Sequence, residues 1–219
     1  MIVLMSAFLL LSAFSCGGGN KANSTSEQSE ETAVNVPQFD ADSAYLYVKN
    51  QVDFGPRVPN TKEHVACGNY LAGQLEAFGA QVTNQYADLI AYDGTLLKAR
   101  NIIGSYKPES KKRIALFAHW DTRPWADNDP DEKNHKTPIL GANDGASGVG
   151  ALLEIARLVN QQQPELGIDI ILLDAEDYGA PQFYTGKHKE EFWCLGSQYW
   201  ARNPHVQGYN ARFGILLDM

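Results

Sequence analysis

The apolar side chains of this chain recur with two different periods, and those periods predict its elements. A short helix is expected from Asp40 or Asp42 to about Val52, closed by Gly55-Pro56. A second runs from Thr61 to Phe78, with Leu71, Leu75 and Phe78 on one face and Gly79 as its stop. Two β-like runs follow, Gln81–Leu89 and Leu96–Tyr106, with Asp93-Gly94 as the turn between them. Ile114–Ala118 reads as a compact strand, and Ala146–Val159 as a helix turning Val149, Leu152, Leu153, Ala156 and Val159 inward. Ile168–Leu173 is almost wholly apolar, the pattern of a strand covered on both faces. A helix near Gly196–Arg202 and a strand at Phe213–Leu217 end the series. Strands alternating with helices predict an α/β fold with a mixed, mostly parallel central sheet and helices on both faces. The early hairpin is what makes the sheet mixed. Asp218-Met219 follow directly on an apolar strand, so the domain over 39–219 is expected to be incomplete at its C-terminal end.

The first residues break both rhythms. Ile2 to Phe14 is nearly all apolar, too short to span a bilayer at roughly 20 residues but the right length for a signal-peptide core. Ser15-Cys16-Gly17 then resembles a bacterial lipobox, which implies acylation of Cys16 and an exported protein touching the membrane only through its lipid anchor. No Lys or Arg precedes the apolar run, and Phe14 and Ala13 depart from a strict lipobox, so a plain cleaved signal peptide 1–16 stays open beside it. Residues 17–38 are rich in Gly, Ser, Thr and Glu and carry too little apolar surface to offset ordering entropy, which predicts a flexible tether.

Composition adds limits. A 219-residue chain with 44% hydrophobic residues has ample material for one core. Its net charge of −8 argues against a nucleic-acid binder that tracks phosphates. A monomer is expected. Cys67 and Cys194 are left to pair in an oxidising compartment or to stay as free thiols, Cys67 on the helical stripe before Leu71.

The chemistry gathers where apolar strands end. Ile114–Ala118 leads into His119-Trp120-Asp121, Ile168–Leu173 into Asp174-Ala175-Glu176-Asp177, and Ile215–Leu217 into Asp218. Ligands of open α/β sheets collect beyond the carboxyl ends of the strands. Asp144 lies in Gly141-Ala142-Asn143-Asp144-Gly145, just before a helix. Converging carboxylates repel one another unless a cation compensates them, and carboxylate with imidazole suits Zn²⁺. Each residue also has a plainer reading. Asp144 caps a helix, His119 is a hydrogen-bonded structural histidine, Asp121 merely orients it, Glu176-Asp177 is a solvated turn, and Asp218 starts a loop. All of those holding at successive strand ends is the less economical account.

The ordered series GPRVPNT (55–61), AHWDT (118–122), GANDGASG (141–148), LLDAEDYG (172–179), LGS (195–197) and LLDM (216–219) resembles the M28-type zinc aminopeptidase family. Within it the nearest likeness is to the glutaminyl-peptide cyclotransferases. In the aminopeptidase branch the resemblance implies two zincs bridged by Asp144, with Asp177 on the first, His119 and Asp218 on the second, and Glu176 as general base. In the cyclase branch it implies one zinc held by Asp144, Asp177 and a later His beyond residue 219. There Glu176 shuttles the proton, and Asp218 positions groups by hydrogen bonding. The family's acid pair is usually Glu-Glu, so Asp177 is a departure. Trp120, Trp125, Trp193 and Trp200 favour the cyclase, whose substrates are peptides with a free N-terminal Gln, although two or more of these rings are expected simply to pack the core.

Overall fold

The computed structural model describes residues 35–219. The leader, Cys16 and most of the 17–38 tether lie outside the described residues. Four α-helices and five strands follow in chain order: α1 (Ala41–Val52), α2 (Lys62–Ala77), β1 (Gln81–Ile90), β2 (Leu96–Tyr106), β3 (Arg113–His119), α3 (Ala146–Gln161), β4 (Gly167–Leu173), α4 (Leu195–Arg202) and β5 (Gly214–Leu216). The starts of α1 and α2 are set by side-chain caps. Asp40 accepts from the amides of Asp42 and Ser43, and Thr61 Oγ1 accepts from His64 N.

The strands form one sheet in the order β1-β2-β4-β3-β5. The sheet is mixed, as expected, with its pairings evenly divided among the described residues. β1/β2 and β2/β4 are antiparallel, while β3/β4 and β3/β5 are parallel. The hairpin closes at Asp93-Gly94, where Asp93 Oδ1 accepts from Thr95 N and Gly94 takes φ 86°.

Side-chain alternation sorts two cores onto opposite faces of the sheet. Ile102, Leu116, Ala118, Ile170 and Leu172 meet α2 and α3 on one face, and Cys67, Leu71 and Leu75 are fully buried there. On the other face Ile103, Ala115, Ile171 and Leu173 meet Trp200 of α4 and Tyr209. Fully burying one such aliphatic side chain is worth about 1.5–3 kcal/mol, so the doubly covered β4 anchors the molecule. Cys67 and Cys194 are both free thiols, which removes the disulfide alternative. Among the described residues no helix is long and apolar enough to cross a membrane.

β3 lies between β4 on one side and β5 on the other, so the chain reverses its direction of travel across the sheet there. The carboxyl ends of these three parallel strands therefore open onto one crevice.

Candidate active site

Each acid reaches that crevice through backbone that the sequence holds in one conformation. β3 ends on His119, in register with Leu173 at the end of β4. Two residues after Leu173, Ala175 sits in the left-handed region (φ 50°), and this bend turns Glu176 and Asp177 toward β3. Asp121, fully buried, holds the bend by accepting from Glu176 N and Asp177 N, both at 3.1 Å. Asp174 anchors it from below, with His64 Nε2 2.8 and 2.9 Å from its two oxygens and Arg100 N donating at 2.6 Å. A second strip of chain closes the turn: Cys194 N donates to Glu176 O and Gly196 N to Asp174 O, each at 3.0 Å. A Cβ on Gly196 would stand 2.0 Å from Asp174 O, which explains the glycine.

Arg57 fixes the other half of the site. Its buried guanidinium donates to the carbonyls of Trp120 (3.1 Å), Leu140 (2.7 Å) and Gly141 (2.8 Å), tying the His119 strand end to the loop that carries Asp144. Gly145, at φ 90°, is the N-cap of α3 and supplies no side-chain cap. Its Cβ would lie 2.8 Å from Asp121 O, so only glycine lets the loop approach this closely. Asp144 is thus not the helix cap its sequence position suggested. Its Oδ1 is 2.9 Å from His119 Nε2 instead.

The predicted residues come together around His119. Asp218 Oδ1 lies 3.6 Å from His119 Nε2, and Asp121 and Glu176 approach Nδ1 at 3.5 and 3.9 Å. Ligand atoms of His119, Asp144 and Asp218 all lie within 4.8 Å of one another, a spacing that fits one metal ion. Asp177 stands outside that trio. Its Oδ1 is 3.4 Å from Arg123 Nη1, while its Oδ2 is buried without any hydrogen-bond partner.

The electrostatics follow from burial and from the density of acids. Burial pushes the Asp177 carboxyl up to about 8, reinforced by Asp121 and Asp144 and opposed by Arg123. Glu176 is also raised, first by burial, against the pull of His119 and a hydrogen bond from Cys194 Sγ at 3.1 Å. Burial draws His119 down, but the adjacent Asp121 carboxylate and the hydrogen-bonded Asp144 outweigh this and lift it to about 11.

A metal fits these donors. Asp121, Asp144, Glu176 and Asp218 crowd one imidazole with Asp177 near these acids, and Arg123 is the only Lys or Arg in ion-pair contact with them among the described residues. Oxygen and imidazole donors with a buried, unpartnered carboxylate oxygen are what zinc satisfies.

A cavity of about 290 Å³ opens beside this cluster, walled by Phe117, Leu173, Trp200 and Leu216, with Glu176 and Asp218 at its polar end. The other tryptophans do other work. Trp120 is buried beneath the strand end, stacked on His64 at 4.3 Å. Trp125 and Trp193 flank the Arg123 guanidinium at 5.7 and 4.9 Å. Arg57, Arg123 and His64 were not singled out by sequence reasoning, and Cys194 and Asp174 were noted only as a thiol and as a strand end, without the contacts they make here. Arg57 had a signal in its place inside GPRVPNT.

Residues 101–219 match Peptidase family M28. The chain is 95% identical to the Bacteroides thetaiotaomicron glutaminyl cyclase bound to N-acetylhistamine, covering 84% of this chain and 63% of that one with a TM-score of 0.84. It is 60% identical to the Tannerella forsythia glutaminyl cyclase, covering 84% and 62% with a TM-score of 0.81. Among curated proteins, the uncharacterized protein YfbL of Escherichia coli is 34% identical over 115 residues, which is 52% of this chain and 32% of that protein. The chain spans under two thirds of the length of these structures and about a third of that relative.

Proposed function

The chain belongs to peptidase family M28, and from that premise we propose that it is the greater part of a zinc-dependent glutaminyl-peptide cyclotransferase, converting N-terminal Gln of peptides to pyroglutamate with release of ammonia. The observation that carries this reading is the Glu176 carboxylate at the mouth of the apolar cavity, with Asp218 beside it and a proton affinity raised by burial. The likeness to glutaminyl cyclases over the whole described domain supports it.

Asp144 and Asp177 would hold one zinc, and the orphaned Asp177 Oδ2 favours that assignment. When bound, zinc supplies Lewis-acid polarisation of the γ-carboxamide oxygen. The substrate's own α-amine attacks the carbonyl carbon of the γ-carboxamide, so the cavity need only select the folded conformer of the glutaminyl side chain. Glu176 takes a proton from that amine and hands it to the departing ammonia, a role that suits a carboxyl tuned toward neutrality. Asp218 steadies the protonated intermediate. Asp121 keeps the Glu176–Asp177 turn in place throughout. The leader supports an envelope location with acyl chains on Cys16 as the anchor.

Replacing Glu176 by Gln in the full-length protein tests the assignment. Cyclisation of a Gln-peptide is expected to fall about 10²–10⁴-fold, the usual worth of general acid–base catalysis, and a loss under about tenfold removes Glu176 from this role. The trio His119, Asp144 and Asp218 favours one second reading, a two-zinc aminopeptidase. Zinc content decides between them: close to one ion per chain supports the cyclase, and two ions with release of free amino acids support the peptidase.

A further inference from the structure

We propose that His205 is a positioning residue that sets the width of the substrate cavity by holding the Trp200 indole, an inference that rests on the cyclase reading of that cavity. Trp200 is the large aromatic wall shared by the cavity and the core beneath it. Its ring meets Phe117 edge to face at 5.5 Å and Tyr209 at 5.3 Å. To these packing contacts is added one directional bond: Trp200 Nε1 donates to His205 Nδ1 at 3.2 Å.

An indole N–H is a donor only, so His205 must present an unprotonated Nδ1 and carry its proton on Nε2. The surroundings enforce this form. The imidazole side chain is 3% exposed, burial lowers its proton affinity, and Nε2 faces Asp169 Oδ1 at 3.9 Å. Its ring lies against Tyr209 at 4.9 Å, and Tyr209 OH donates to Asp169 Oδ2 at 2.8 Å. Asp169 is itself clamped by Arg113 Nε and Nη2 at 2.5 and 2.7 Å. His205 therefore links a buried ion pair to the wall of the cavity. It lines a separate space of about 450 Å³ and is absent from the walls of the substrate cavity.

The test uses zinc-loaded full-length protein and three substitutions at His205. Asn places its Oδ1 where Nδ1 stood and keeps the acceptor; Gln is equally polar but carries its amide at the Nε2 position; Ala removes both. For a Gln-peptide, Ala and Gln are expected to raise KM about three- to tenfold, the worth of one hydrogen bond, with kcat within about twofold, while Asn restores KM. In a Trp200→Phe background the Ala change should add nothing further to KM. The Trp200 indole resonance should move in the Ala and Gln variants and hold in Asn, a readout independent of turnover. Loss of cyclase activity in the unsubstituted protein would sink the cyclase reading and leave this resonance pattern intact. An unmoved resonance, or a moved one with unchanged KM, overturns the role of His205. If the Ala variant fails to fold, the Asn–Gln contrast carries the same two outcomes.

Discussion

At the amino ends of β3 and β4, Asp169 is fully buried and both its oxygens are saturated, by Arg113, Ser105 Oγ at 2.7 Å and Tyr209 OH. At the carboxyl ends of the same two strands, Asp177 is nearly as buried, yet one oxygen has no partner and the other only a 3.4 Å contact with Arg123. The first arrangement is complete in the polypeptide. The second becomes complete only with a cation, and that deficit marks the functional end of the sheet more firmly than the number of acids there.

Removing one partner of the complete cluster should have the largest effect on stability. Asp169→Ala leaves the Arg113 guanidinium buried and uncompensated, so unfolding by denaturant should show a loss of about 3–5 kcal/mol. Zinc affinity should not change. A loss under about 1 kcal/mol would mean that the amino-end cluster is no more structural than a surface pair.

The same type of change at the other end should run the opposite way. Asp177→Asn removes the cost of holding this buried carboxyl protonated where the unfolded chain would be ionised, so the metal-free protein should be as stable as before or more so at neutral pH. Zinc affinity should fall by more than the about 10–100-fold that an outer partner is worth. Stability lost in the metal-free protein together with unchanged zinc binding would reverse the two ends.

Acid titration sharpens the contrast. Burial alone would raise Asp169, but the hydrogen bonds from Arg113, Ser105 and Tyr209 win and hold it below the usual carboxylate range. Its stabilising contribution is complete above the unfolded value of about 3.9 and disappears as pH falls through the lower folded value. Asp177, pushed up to about 8, has the opposite sign. The folded metal-free protein holds that proton where the unfolded chain has released it, so stability falls as pH rises from about 4 through about 8. Unfolding measured against pH in chelator should lose this slope in Asp177→Asn and keep the acid limb. A slope that survives the substitution belongs to another group.

These two ends were unequally legible in the sequence. The carboxyl end could be read because three apolar runs each stop on an acid or imidazole, and strand ends are fixed by the same apolar pattern that makes the strand. The amino end could not. Asp169 sits inside a run read as almost wholly apolar, and its partners Ser105, Arg113 and Tyr209 come from three other parts of the chain, joined only when the sheet forms. Arg57 was hidden for a related reason, since it holds backbone carbonyls, which no residue pattern reports. Asp144 was ambiguous locally, and the positive φ of Gly145 settled it by taking the cap position. That β2 bonds β4 instead of β3 is a choice of neighbour that periodicity does not encode.

The smallest expected effect isolates what makes both clusters matter. Lys98 Nζ lies 2.8 and 2.9 Å from the Asp88 oxygens across the β1–β2 ladder, within a few tenths of an ångström of the spacing of Asp169 with its partners. Both side chains are more than half exposed, so water already solvates each charge, and added salt screens the pair further. Asp88→Ala should therefore cost only about 0.2–1 kcal/mol, less in high salt, against the several kcal/mol expected for Asp169→Ala at similar oxygen–nitrogen distances. A cost at Asp88 approaching that of Asp169 would mean that distance alone sets these energies. The unpartnered oxygen of Asp177 would then carry no information about a missing cation, because its significance depends on burial making an unmatched charge expensive.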